Sequence, residues 1–156
     1  MLNLTEKCAA TNAAIPTLTL SFERRQKSRQ RVRLDDGGEA AIVLAPGSAL
    51  ADGDHLRASD GTIVRVHAGH EEVTVACAGD PLLLARACYH LGNRHVVLQV
   101  GKGWVRFQPD HVLDAMIEGL GLAVTHENLP FEPEGGAYGG QRPAQGHGHA
   151  HGHHHE

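Results

Sequence analysis

The sequence predicts an α+β protein in three parts: a small all-β domain over residues 1–72, a βαββαβ domain over residues 73–131, and a flexible leash with a disordered histidine-rich tail over residues 132–156. Three observations support this prediction. Short apolar runs separated by turn residues fill the first part, two helical periodicities alternate with strand-like runs in the second, and the third is rich in glycine, proline and histidine.

Turn residues divide the first part into short segments. LTLSF alternates in polarity, DDGG separates RVRL from EAAIVL, and PG, DGD and DG mark further turns before GTIVRVHA. Glycine beside aspartate or proline is typical of tight turns between strands. The pattern predicts a small all-β domain that ends near Glu72.

Five cations fall at every second position of this domain. On a strand, alternate residues share one face of the sheet. The strip is either a docking surface for an acidic partner or a solvated face that protects an unpaired edge by charge, and the pattern alone favours the solvated face. Nucleic acid is a weaker partner, because no aromatic residues are interleaved to stack on bases. The five residues are Arg25, Lys27, Arg29, Arg31 and Arg33.

The second part begins with the strand VTVACA and a helix. Asp80 followed by Pro81 is typical of an N-cap with proline in the first turn, and the helix PLLLARACYHL is expected to stop at Gly92. His90 falls in the last turn, where the helix dipole favours a histidine.

A hairpin and a second helix follow. VVLQV and WVRF are joined by GKG, Asp110 is expected to begin a helix that Gly121 ends, and LAVTHENLPF supplies the last strand. The order strand, helix, strand, strand, helix, strand is the split βαβ arrangement of ferredoxin-like folds. Such a fold says little about function by itself.

Composition limits the cellular setting. The formal net charge of −4 gives no general affinity for nucleic acid, and the three cysteines show no CxxC spacing, which predicts neither a disulfide framework nor a thiolate zinc site. The first 20 residues lack a basic leader, and no run approaches the roughly 20 apolar residues of a membrane span. We expect a cytoplasmic protein that contacts no membrane.

Imidazole is the chemistry that the sequence supplies in quantity. There are 13 histidines, whereas no nucleophile elbow, phosphate-binding glycine loop, HExxH or paired-carboxylate pattern occurs. Six of them form an x-His-x-His tail, a spacing unlike the unbroken run of a purification tag. Neutral imidazole binds nickel, copper, zinc and cobalt, and an unstructured tail would not choose sharply among them. The tail residues are His147, His149, His151, His153, His154 and His155.

Four further histidines fall in the second domain: His90, His95, His111 and His126. His95, in YHLGNRHVVLQV, lies just beyond the predicted helix stop and before a strand, which is a rigid position from which a ring could project. It is either a metal ligand or a structural histidine with its own hydrogen-bond partners. A lone histidine does not make a metal site.

Three segments together resemble the UreE family, the nickel metallochaperones of urease maturation. They are YHLGNRH followed by VxLQV, DHVLDAMIEGLG, and FEPEGGAYGG leading into a histidine-rich end. The resemblance covers nearly the whole chain. It implies a peptide-binding type of N-terminal β domain, a ferredoxin-like C-terminal domain, and a homodimer formed through the latter.

The same resemblance implies a metal site. In the family the histidine of GNRH faces its copy across the dimer axis, so His95 would supply two ligands to one metal, and tail histidines would complete the shell. The position of Val97 is often proline in the family, a change that we do not expect to alter binding. His111 is a secondary ligand by the resemblance, or a solvated residue of the first helical turn.

We therefore expect a homodimeric nickel carrier, not an enzyme, that delivers Ni²⁺ to apo-urease together with the urease GTPase and the other accessory proteins. Cu²⁺, Zn²⁺ and Co²⁺ would compete. The alternative is a histidine-rich protein that stores or buffers nickel, copper or zinc without delivery. A metal-dependent hydrolase would need three fixed ligands and an open position, and no compact cluster in the sequence supplies them.

Overall fold

The computed structural model describes residues 1–135, which form two sheets and three helices. Within these residues no helix is long and apolar enough to cross a bilayer. The first sheet is built from β1 Leu2–Cys8, β2 Thr17–Leu20, β3 Arg29–Arg33, β4 Glu39–Val43, β5 His55–Ala58 and β6 Ile63–Ala68, with the one-turn helix α1 Phe22–Arg25 between β2 and β3.

The first sheet has the strand order β2-β6-β5-β1-β4-β3, with β1 parallel to β4 and β2 parallel to β6. The aliphatic side chains of one face form its core. The predicted turns are confirmed; at DDGG, for example, Gly37 has φ 92°, a left-handed conformation that glycine adopts without strain. Two features differ from the prediction: β1 was not expected, and α1 interrupts the all-β pattern.

The second sheet is built from β7 His70–Cys77, β8 Gln99–Gly101, β9 Trp104–Phe107 and β10 Ala123–Pro130. Helix α2 Pro81–Asn93 lies between β7 and β8 in the sequence, and α3 His111–Leu120 lies between β9 and β10. The predicted order of strands and helices is confirmed. The strands are antiparallel in the order β10-β7-β9-β8. Side chains from α2 and α3 pack with those of β7 and β9 into a second apolar core.

The helix ends test the expected caps. Asp80 caps α2 through the N–H of Leu82, and Asp110 caps α3, which ends at Gly121 as predicted. The expected stop of α2 at Gly92 is wrong, since the helix continues to Asn93. The following strand is also shorter than VVLQV, because β8 begins only at Gln99.

The two sheets meet at α1 and the segment after β10. The rings of Phe22 and Phe131 pack edge to face with centroids 5.4 Å apart. The N–H of Phe22 donates to a Glu71 carboxylate oxygen at 2.8 Å, and the N–H of Asp52 donates to Glu132 Oε1 at 3.2 Å. A small third apolar cluster around Phe131 fills the junction.

The predicted five-cation strip is wrong at its first two members. Arg25 lies in α1, only 2% exposed, and its guanidinium donates to the carbonyls of Leu20 and Phe131. Burial lowers the pKa of Arg25, which nearby acidic residues partly oppose. Lys27 lies in the turn before β3 and pairs with Glu23. The reason is local, since a helical turn replaces the expected strand.

The other three members of the strip, Arg29, Arg31 and Arg33, lie on β3 and are exposed on the face opposite the buried Val32. Because β3 is at the edge of the first sheet, both interpretations of these three arginines stay open at this point.

Candidate metal centre

His95 lies two residues beyond the end of α2, with its side chain exposed. Its backbone has φ 59°, and no other non-glycine residue among residues 1–135 has a positive φ. The N–H of His95 donates to the Gly92 carbonyl at 3.0 Å, and the N–H of Val96 donates to the Leu91 carbonyl at 3.2 Å. These are the two hydrogen bonds of a Schellman motif, in which the left-handed residue is usually glycine.

The end of α3 has the same hydrogen bonds around a glycine. Gly121 has φ 104°, its N–H donates to Glu118, and the N–H of Leu122 donates to Ile117. The chain thus places a histidine where its other long helix places glycine. A left-handed backbone at a residue with a Cβ costs about 1–2 kcal/mol, and such strain is concentrated at functional sites. The backbone therefore singles out His95.

Replacing His95 with glycine is expected to raise the free energy of unfolding of the metal-free protein by about 0.5–1 kcal/mol, because glycine relieves the left-handed strain but gains freedom in the unfolded chain. His95→Ala, which keeps the Cβ, is expected to give no such gain. Urea unfolding of the three proteins measures the order. A His95→Gly protein less stable than His95→Ala would mean that this residue is not left-handed in solution.

One protomer does not present a complete ligand set around His95. Among residues 1–135, no three or more His, Cys, Asp or Glu side chains are grouped so that they could hold a metal ion. His90, in the last turn of α2, stacks edge to face on Tyr89 with ring centroids 5.3 Å apart. If His95 binds a metal ion, groups from outside this set must therefore complete the ligand shell.

The segment after β10 passes beside the loop that carries His95. The N–H of Glu132 donates to Gln99 Oε1 at 3.0 Å, and the N–H of Glu134 donates to the Leu98 carbonyl at 2.6 Å. Leu98 is three residues from His95, so their Cα atoms are at most about 11 Å apart. The predicted tail ligands lie outside the described residues: His147, His149, His151, His153, His154 and His155.

His111, the other predicted ligand, is the first residue of α3 and is exposed. The carboxylate of the neighbouring Asp110 accepts from the N–H groups of Val112 and Leu113 and so caps the helix. The described residues do not group His111 with other ligands, and its role as a secondary ligand stays a prediction.

His126 belongs to a hydrogen-bond network that the sequence did not reveal. Its Nε2 lies 2.6 Å from Asp114 Oδ2, and the hydroxyl of the buried Thr74 donates to Asp114 Oδ1 at 2.9 Å. The network accounts for His126 as a structural residue. The sequence does contain a hint of this network. Asp114 falls among the apolar positions of α3, and a buried carboxylate needs hydrogen-bond partners.

The three cysteines are free thiols, and none of them forms a disulfide. Cys88 is half-buried on α2, and burial raises the pKa of its thiol. A raised pKa disfavours the thiolate that binds metals. Burial therefore makes Cys88 a poorer candidate ligand than the exposed imidazole of His95.

Comparison with known proteins adds a separate observation. The model of the UreE urease accessory protein N-terminal domain matches residues 2–69, and that of the C-terminal domain matches residues 71–156.

Three similar proteins carry the name urease accessory protein UreE. The one from Alkalilimnicola ehrlichii is 59% identical over 140 residues, which cover 90% of this chain and 86% of that protein. The one from Pseudomonas putida strain GB-1 is 54% identical over 129 residues, covering 82% and 78%. The one from Vibrio parahaemolyticus is 53% identical over 121 residues, covering 78% and 76%.

Proposed function

Because the chain belongs to the UreE family of urease accessory proteins, we propose that it binds Ni²⁺ and delivers it to apo-urease while the urease metallocentre is assembled. A role in urease maturation follows from the family. The metal, the ligands and the delivery step are the proposal.

One observation carries the proposal: the hydrogen bond from the N–H of Glu134 to the Leu98 carbonyl. It holds the start of the C-terminal segment against the loop that follows His95, so the part of the sequence that contains the tail histidines continues from a residue beside the candidate ligand. His147 is thirteen positions after Glu134 in the sequence. If the residues between them act as a flexible linker, their root-mean-square reach is roughly 18–22 Å, which includes the surroundings of His95.

A homodimer would supply the ligands that one protomer lacks. Two copies of His95 facing each other across a two-fold axis give two ligands from one position. Exposed apolar side chains on α2 and on the segment around β8 support an interface on this side of the domain: Leu82, Tyr89, Val97 and Val100. Tyr89, at 68% exposed, is the largest of them, and a contiguous patch formed by such side chains would be typical of an association surface.

The architecture of the second domain supports its proposed role in forming the dimer. With β10 beside β7, and β9 between β7 and β8, the sheet order is that of a split βαβ unit, and we propose that it forms the ferredoxin-like domain through which the protomers associate.

Delivery would use the exchange chemistry of imidazole. Neutral histidine ligands at an exposed site can be replaced one at a time as the ligands of the urease GTPase or apo-urease arrive, and protonation lowers their affinity. The tail would gather Ni²⁺ and pass it to the His95 pair, with Cu²⁺, Zn²⁺ and Co²⁺ as competitors. Free thiols fit a reducing cytoplasm, where these partners would be met.

The test is a comparison of nickel transfer rates. Equal nickel loads on the full-length protein and on a synthetic peptide of residues 146–156 are mixed with apo-urease and its accessory GTPase, and urease activation is followed over time. The proposal expects the full-length protein to activate urease faster than the peptide does, because transfer takes place within a complex.

Equal rates would instead show that the protein acts only as a store, releasing free nickel for the urease to capture. A chelator stronger than the peptide, added in slight excess, sharpens the distinction. It would suppress activation through free Ni²⁺ and spare direct transfer.

A further inference from the structure

Four arginines form an exposed positive surface at the edge of the first sheet, called here the basic surface: Arg24, Arg29, Arg31 and Arg33. The last three alternate along β3 with Gln30 and the buried Val32. Alternate residues of a strand are about 6.6–6.8 Å apart on one face. The three side chains therefore leave β3 on one face at regular intervals.

Arg24 joins these side chains from α1 and is held in place by β3. Its Nε donates to Gln30 Oε1 at 3.0 Å, and its Nη2 donates to the Arg31 carbonyl at 2.8 Å. The side-chain amide of Gln30 donates back to the Arg24 carbonyl. A shallow groove of about 230 Å³ lies between these side chains and the end of β4.

Part of the free edge of β3 is blocked to pairing with another strand. The N–H of Leu34 donates to Gly38 and the N–H of Leu44 donates to Ser28. Because backbone groups alternate in an antiparallel pair, even-numbered residues face β4 and odd-numbered ones face outward. The outward carbonyl of Arg31 is the one that Arg24 occupies. Strand addition is therefore obstructed at the middle of β3, whereas the exposed guanidinium groups can bind a partner along its whole length.

The charges on this surface are not neutralised within residues 1–135. Arg29, Arg31 and Arg33 make no ion pair there, whereas the exposed cations Lys7, Lys27 and Arg57 each pair with a carboxylate. Glu39, opposite Arg33, is the one acidic residue that lines the groove. A positive surface is thus maintained on a chain whose formal net charge is −4.

We propose that the basic surface binds an extended acidic segment of a partner protein, with carboxylates at alternate positions. Such a segment has the same spacing of side chains on one face as β3 has, and each guanidinium can hold a carboxylate through two hydrogen bonds. The groove has no aromatic lining residue on which a nucleic-acid base could stack, which favours a protein partner. The proposal does not depend on the nickel site.

The experiment uses fluorescent peptides and the full-length protein. One peptide has six aspartates alternating with serine, the second has the six aspartates in one block, and the third has serine throughout. A single-stranded oligonucleotide of equal charge tests the other class of partner. Fluorescence anisotropy at low salt gives each dissociation constant, and the alternating peptide is expected to bind most tightly, with affinity falling as salt is added.

Variants identify the surface. Arg31→Glu and Arg31→Gln change an exposed side chain. Arg24 donates to the backbone carbonyl of residue 31 and not to its side chain, so both variants keep this contact. Arg65→Glu is the matched control, since Arg65 is exposed on β6 of the same sheet, four strands and roughly 19 Å away. We expect Arg31→Glu to weaken binding about tenfold and Arg65→Glu less than threefold.

Equal losses in the two charge-reversal variants would overturn the proposal, because they would reflect net charge alone. So would equal affinity for the alternating and block peptides, the absence of peptide binding, or tighter binding of the oligonucleotide.

Discussion

Replacing His95 with alanine in a chain that ends at Gln145 is expected to abolish tight nickel binding. With His95 intact, the short chain should keep about one tight site for each proposed dimer, formed by the two copies of His95. The tail histidines are absent from this chain, and the described residues hold no other cluster of ligands. Loss of a group that only orients a metal ligand typically weakens binding 10–100-fold. Removal of the ligand itself should exceed about 100-fold. Isothermal titration calorimetry near pH 7.5 measures it.

His95→Gly separates the ligand from the backbone. Glycine is the residue that the Schellman motif accepts with least strain, so this variant removes the imidazole while the end of α2 is preserved. It should lose nickel as completely as His95→Ala does. His90→Ala is the matched control, because His90 is an exposed histidine only five residues earlier and should leave binding unchanged. Tight binding that survives both His95 substitutions would refute the site.

The same titration on the full-length protein measures the contribution of the tail. Additional, weaker nickel binding is expected, and it should be lost near pH 5.5, where imidazole ligands become protonated. If removing the tail alone eliminates all nickel binding, the tail is the site and the storage function is favoured over delivery.

Features set by neighbouring residues in the chain were predictable from the sequence. Asp80 and Asp110 cap the two long helices, and Gly121 ends the second one, because each of these effects acts within one turn. The error at Gly92 concerns which residue takes the left-handed position at the helix end. The Schellman hydrogen bonds form around His95 and not around Gly92, and they bring Val96 to the second core, to which Leu91 also belongs.

Strand β1 shows the same limit. LNLTEKC has only Leu2 and Leu4 in alternation, which is a weak signal, yet β1 lies between β4 and β5 in the middle of the first sheet. Its conformation is provided by two neighbouring strands that are distant in sequence. For α1, by contrast, a local signal existed, because Ser21 caps the helix through the N–H of Arg24.

The candidate site was only partly predictable. His95 was found through the resemblance of its surrounding motif, and its left-handed backbone could not be expected from a helix thought to end at Gly92. The position of the segment from Phe131 to Glu134 beside Leu98 was also beyond sequence reasoning, because it depends on the junction between the two sheets.

Replacing Arg25 with alanine is expected to lower the free energy of unfolding by about 2–4 kcal/mol. The Phe131 carbonyl would lose its donor, the Leu20 carbonyl would keep the N–H of Gly69 but lose the guanidinium, and a cavity would form. The guanidinium of Arg25 joins the Leu20 carbonyl in the first sheet to the Phe131 carbonyl after the second, and it lies 5.9 Å from the centre of the Phe22 ring. Urea denaturation measures the change. Arg29 belongs to the same alternating sequence pattern as Arg25 but is exposed. Arg29→Ala should therefore change the free energy of unfolding by less than about 0.5 kcal/mol.

Arg25→Met separates packing from hydrogen bonding at the junction. Methionine fills most of the volume but donates no hydrogen bond, so it should recover part of the loss seen with alanine. Arg25 Nε is buried without a partner among the described residues, which means that the guanidinium also carries a desolvation penalty that methionine avoids. If Arg25→Met is as stable as the unmodified protein, the side chain serves only to fill space. If it matches Arg25→Ala, the two hydrogen bonds account for the stability of the junction.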